Sequence, residues 1–135
     1  PAETKMEEIT FIIDSSILID TLRGGGLWRQ FINTVSPADP ELVVPTIVIF
    51  ELFSGKTSHD TEEYTRIMAL LKGIKRVQLT EDIAMKAGEL YRLARQVIDT
   101  PDYIIAASAL ELNASVVTLN QKHFRQISGL KIHQW

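Results

Sequence analysis

Apolar residues in this chain fall into two patterns: short unbroken runs and longer stretches with helical spacing. Residues 9–13 (ITFII), 42–44 (LVV) and 116–117 (VV) are brief β-branched runs suited to buried strands, with weaker versions at 76–79 and 130–133. Between them, apolar residues recur three and four positions apart. Ile17, Leu18 and Leu22 form one such set, and Trp28, Phe31, Ile32 and Val35 a second. Tyr64, Ile67, Met68 and Leu71 form a third, in a helix expected to start near Ser58 or Asp60 and to stop at Gly73. The last stripe is Ile83, Ala87, Leu90, Tyr91, Ala94 and Val97. Ser15 or Ser16, Thr46 and Thr80 are the expected helix caps, and the helix after Thr46 should run through Glu51 to about residue 54, with Gly55 as its stop. Pro101 suits a first helical turn, and the helix at 102–112 is apolar on most sides and therefore deeply buried. Strands alternate with helices throughout, which predicts an α/β domain, a mostly parallel sheet with helices on both faces.

Composition narrows this picture. With 135 residues, 45% hydrophobic and 23% charged, the chain suits one globular domain. We assign that domain to residues 6–135, with Met6 as the natural start and residues 1–5 set aside as an expression remnant or disordered N-terminus. There is no cysteine, which removes disulfides and thiolate metal sites and fits a reducing cytoplasm. No apolar run approaches the ~20 residues of a membrane span, so the expectation is a cytoplasmic protein without a membrane partner. The net charge of −3 supplies no general attraction for nucleic acid, so any such binding needs a local basic patch.

The candidate chemistry lies where the strands end. In FIIDSSILID, a buried-looking strand runs directly into Asp14. Glu51 stands about two turns into the helix after the second strand, between large apolar residues (FELF). Asp102 opens the buried helix, and Asn120 follows the fourth strand by two residues. Ligands of open parallel sheets bind at the carboxyl ends of strands, where these four side chains could meet. Each also has an ordinary explanation, Asp14 as a turn residue and Asp102 as a favourable charge on a helix dipole, and spacing alone leaves the choice open. Convergence would require a cation to offset the repulsion, and oxygen-only ligands favour Mg²⁺ or Mn²⁺. Such an ion activates water and clamps phosphate, so phosphodiester hydrolysis follows more naturally than ester or peptide hydrolysis. No GxSxG, P-loop or GxGxxG is present.

Four segments, IIDSSILID, PTIVIFELFSG, DYIIAASAL and VVTLNQKHF, carry a family resemblance across nearly the whole chain. Together they resemble a PIN-domain ribonuclease, most of all the VapC toxin of a toxin–antitoxin pair. The resemblance implies a three-layer α/β/α sandwich and Mg²⁺- or Mn²⁺-dependent hydrolysis of RNA. It maps the metal-binding, catalytic acids onto Asp14, Glu51 and Asp102, and supporting hydroxyls onto Ser16 and Thr118. It also implies a homodimer and a cognate antitoxin whose tail occupies the groove. The chain departs from the family at the fourth acid: Asn120 and His123 stand at the two positions where an aspartate is common. Asn120 can still offer a neutral oxygen to a metal.

The remaining candidates have competing readings. Arg23, Lys56, Lys122 and Arg125 form a prospective RNA-binding rim, or are solvated surface charges. His123 is placed to touch phosphate or shuttle a proton, or simply caps a turn. His59 and His133 read as surface. Lys72, Lys75 and Arg76 fit a helix C-terminal charge pattern better than a phosphate grip. Trp28 and Phe31 fit core packing better than base stacking, and part of Phe50, Leu52 and Phe53 is expected to bury against another chain. Two other functions remain: a PIN-like binding module that does not cut, and a phosphotransferase of the haloacid-dehalogenase type. The second normally has another aspartate where Ser16 stands.

Overall fold

A computed structural model describes residues 9–55, 61–94 and 98–135. The first strand, β1 (Thr10–Ile13), leads into α1 (Ser15–Leu22) and α2 (Leu27–Val35). Strand β2 (Glu41–Pro45) is followed by α3 (Thr46–Phe53) and α4 (Thr61–Leu71), and β3 (Lys75–Val77) by α5 (Glu81–Leu93) and α6 (Thr100–Glu111). Then come β4 (Ser115–Val117), α7 (Gln121–Arg125) and β5 (Lys131–Ile132). All pairings are parallel, in the order β3-β2-β1-β4-β5. The chain therefore winds outward from β1 in one direction, returns, and winds outward in the other. Right-handed crossovers put the two sets of helices on opposite faces, making the expected three-layer α/β/α sandwich.

Burial differs between the central and the edge strands of the sheet. Ile12, Ile13, Val43, Val44, Val116 and Val117, in the central strands, are essentially inaccessible. The edge strands are half covered: Lys75 and Arg76 of β3 and Lys131 of β5 are exposed, so their patterns are less apolar. The third strand is also shorter than 76–79, since Leu79 is exposed beyond its end. Helix α6 is as buried as its composition predicted. Ala106, Ala107 and Ala109 let it lie close against its neighbours, with Ile105 filling the remaining space. Trp28 and Phe31 stack at 5.6 Å, and Phe31 is 1% exposed, so this pair serves the core. Arg76 donates to the carbonyls of Leu71 and Ile74 at 3.0 and 2.6 Å, which gives that cation its helix-terminal role.

Several local expectations change. Asp14, rather than either serine, caps α1: its Oδ1 accepts from the Ser15 backbone N–H at 2.8 Å. Thr46 is the first residue of α3, whose N-cap is Pro45. Thr80 does cap α5, accepting from the Ile83 N–H at 3.2 Å. In α4 only Ile67 and Leu71 of the predicted stripe are buried, while Tyr64 and Met68 are exposed. In α5 Ile83 and Ala87 are buried, but Tyr91 is exposed and Ala94 lies past the helix end. These stripes are too wide because a helix on one face of a sheet buries a narrow strip. His133 is half-buried and not purely a surface residue; it packs edge-on against Phe11 and Phe31 at 5.6 and 5.1 Å. Lys56, His59, Val97 and the predicted helix start at 58–60 lie outside the described residues.

Candidate active site

The sheet reverses its winding direction between β1 and β4, and open α/β sheets form a crevice at the carboxyl ends of such strands. The register Ile13↔Val117 makes Asp14 and Thr118 the next residues out of each strand. The Asp14 N–H continues the ladder by donating to the Val117 carbonyl at 3.0 Å. The paired strand ends thus hold Asp14 at the crevice floor, 2% exposed, with donors on both carboxylate oxygens. Its Oδ2 accepts from the Thr118 hydroxyl at 2.7 Å and the Ser16 hydroxyl at 2.9 Å. Ser16 also accepts from the Leu119 N–H, and Thr118 from the Asn120 N–H, each at 2.9 Å. Both hydroxyls read from the sequence are therefore positioned on the first acid.

Glu51 reaches the same crevice from the last turns of α3, between the buried Leu52 and the exposed Phe50. Its Oε1 is buried with no hydrogen-bond partner. Burial is the main reason its carboxyl is pushed up to about 7, and the Asp14, Asp102 and Asp99 charges raise it further, while the Ser15 hydroxyl opposes them. Asp102, in the first turn of α6, is also raised by burial and by Asp14 and Asp99. A hydrogen bond from His123 holds it down in part, with Nδ1 3.0 Å from Oδ2. Three carboxylates from separate parts of the sequence thus share one electrostatic environment.

Asn120 and His123 behave differently from a fourth acid. Asn120 joins the network through its backbone, and its exposed side chain lines a neighbouring cavity. His123, on the first turn of α7, is the hydrogen-bonding partner of Asp102. Asp99 lies outside the candidates that the sequence indicates. It is the N-cap of α6, exposed, without a side-chain capping bond, and it raises both Glu51 and Asp102. The signal was DTPD, two acids three positions apart across a helix start, which places them on one side of the first turn.

Of the basic candidates, Arg23 lines a groove with Glu51, Leu22 and Arg66. Lys122 and Arg125 line the cavity beside Thr118, with Arg125 donating to Gln121 Oε1 at 3.0 Å. The structure therefore divides these cations between two sides of the acids.

A buried, unpartnered carboxylate oxygen on an acid that its acidic neighbours raise is an incomplete arrangement, and a hard divalent cation with oxygen ligands fits it. Among the described residues, no group of three or more His, Asp or Glu side chains is already arranged to hold a metal ion. Asp14 is hydrogen-bonded to the Ser16 and Thr118 hydroxyls, and Asp102 to His123.

Known proteins resemble this chain in sequence and fold. The sequence pattern of the PIN domain matches residues 11–130. Ribonuclease VapC10 of Mycobacterium tuberculosis is 33% identical over 124 residues, covering 89% of this chain and 90% of its own. A toxin–antitoxin complex from Klebsiella pneumoniae is 28% identical with a TM-score of 0.68, over 88% of this chain and 93% of that one. VapBC2 from Rickettsia felis, bound to a DNA fragment from its promoter, has a TM-score of 0.80 at 18% identity, over 94% and 99% of the two chains. With the family pattern spanning nearly every element from β1 to α7, this chain belongs to the PIN-domain family.

Proposed function

We propose that the chain is a divalent-metal-dependent endoribonuclease, acting as the toxin of a toxin–antitoxin pair. The observation that carries this reading is Glu51 Oε1, buried and unpartnered beside Asp14 and Asp102 at the sheet's switch point. The ribonuclease relative and the toxin–antitoxin neighbour support the reaction and the partner. Asp14, Glu51 and Asp102 are the residues that would hold Mg²⁺ or Mn²⁺. When bound, such an ion lowers the pKa of water and offsets charge on the phosphate.

The chain's own residues prepare that step. Thr118 and Ser16 fix the Asp14 carboxylate so that it does not reorient when substrate enters. Glu51, with its carboxyl near 7, ionises in the physiological range, and as a carboxylate it would serve as a ligand to the cation. His123 orients Asp102, and Asn120 offers a neutral side chain at the crevice edge. Arg23 on one side, and Lys122 and Arg125 on the other, supply positive charge for an RNA backbone around an acidic centre. The exposed Phe50, Tyr64 and Met68 on α3 and α4 offer apolar area for the antitoxin or a second copy in a homodimer.

The test is cleavage of a mixed RNA pool by antitoxin-free protein in Mg²⁺, Mn²⁺ or EDTA. Cutting should require metal and should fall at least a hundredfold in Asp14→Asn. Undiminished cutting in excess chelator would sink the reading. The His123–Asp102 pair favours one alternative, a PIN-like module that binds RNA or protein without cutting. RNA binding by wild type with no cleavage in either metal would select it.

A further inference from the structure

The cavity on the β4 side of the acids contains an aromatic residue that the catalytic reading does not use. It measures about 420 Å³ and is lined by Thr118, Asn120, Lys122, His123, Arg125 and Trp135 among others. Trp135 lies three residues beyond β5, yet it is tied to the site. Its indole Nε1 donates to the Thr118 carbonyl at 3.2 Å, and the Thr118 hydroxyl donates to Asp14 at 2.7 Å. The ring is also braced edge-on by His133 at 5.4 Å and Phe31 at 6.1 Å. An indole with its N–H satisfied and two ring neighbours has the attachments of a core residue. It is nevertheless 44% exposed, at the wall of an open cavity.

The surrounding charge indicates what fits there. Lys122 and Arg125 line the same cavity, and two of its other lining residues, Thr118 and His123, are hydrogen-bonded to Asp14 and Asp102 at 2.7 and 3.0 Å. An immobilised aromatic surface beside two cations is the combination that receives a nucleotide, with the base on the ring and phosphate at the cations. The volume suits one such unit. We propose that Trp135 forms the wall of a nucleobase subsite, stacking an unpaired base of single-stranded RNA next to the scissile phosphate. This rests on the ribonuclease reading and adds where the strand is gripped. Stacking tolerates any base, so Trp135 contributes affinity and register, while Asn120 offers the amide that can discriminate among base edges.

The experiment measures binding without cleavage. A fluorescein-labelled random RNA hexamer is titrated in EDTA against wild type, Trp135→Ala and Trp135→Phe, alongside an abasic hexamer of the same charge. We expect Trp135→Ala to weaken the base-bearing RNA by about five- to a hundredfold, the loss typical of one base–aromatic stack. The abasic oligomer should bind all three proteins alike, and Trp135→Phe should keep most of the affinity. Hexamer containing 2-aminopurine should also be quenched on binding wild type, a readout independent of whether the alanine variant folds. Equal loss on both oligomers, equal affinity of all three proteins, an absence of quenching, or no RNA binding by wild type would each overturn the subsite. Failure of the nuclease reading shows separately, as hexamer that binds in EDTA but survives addition of Mn²⁺.

Discussion

Glu51 is the residue at which folding and function oppose each other most directly. Its folded-state carboxyl titrates at about 7, against 4.5 when free, so the folded chain holds a proton that the unfolded chain has released. The associated stability is fully present below pH 4.5 and is lost as pH rises through about 7. Glu51→Gln removes this penalty. With the discount that a half-exposed group requires, the metal-free variant should gain about 1 kcal/mol at pH 8. That corresponds to roughly 3–5 °C in melting temperature, with almost no gain at pH 5. An equal gain at both values would mean that the cause is packing and not charge. The same substitution should abolish metal-dependent cutting, a trade of activity against stability expected of a functional site. Glu51 was legible in the sequence because an acid among FELF has no comfortable place on a core helix. The roles of Ser16 and Thr118 were legible only through the resemblance, since nothing in their spacing reveals that residues 102 positions apart share one carboxylate.

At the scale of elements, α6 does two jobs. Its small and apolar residues bury it against the sheet, and its start brings the N-cap Asp99 and the first-turn Asp102 close enough to Glu51 to raise it. Buried length was readable from composition, but which acids the helix delivers was not, because Asp99 resembles an ordinary N-cap. Its side chain makes no capping bond. If Asp99 acts as a nearby charge, Asp99→Asn should lower the titration points of both Glu51 and Asp102, because its charge raises each of them. Carboxyl carbon NMR titration of the metal-free protein measures this directly, and unchanged midpoints would remove Asp99 from the site. The helix boundaries were misjudged for a related reason. Asp14 and Pro45 cap α1 and α3 from the last positions of the strand side, where pattern reading assigns residues to strands.

The whole molecule explains why Asp14 and its Thr118 partner meet at all. The order β3-β2-β1-β4-β5 puts the first and fourth strands side by side, so Asp14 and Thr118 become neighbours only once the chain has closed on itself. Alternation of strands and helices made the α/β class legible, whereas strand order depends on which crossovers reverse, and no local pattern encodes that. A site assembled this way should couple ion binding to global stability, since the unfolded chain has no such site. Mn²⁺ should therefore raise the melting temperature of wild type. The effect should be larger at pH 8 than at pH 6, because Glu51, with its carboxyl near 7, must lose its proton before it can act as a ligand. An ion at a hundredfold excess over its dissociation constant contributes about 2.7 kcal/mol. Asp14→Asn should remove most of that gain. Calorimetric scans with and without Mn²⁺ at the two pH values decide the matter. A gain that is independent of pH, or one that survives in Asp14→Asn, would place the ion away from these acids and leave the buried Glu51 oxygen without an explanation.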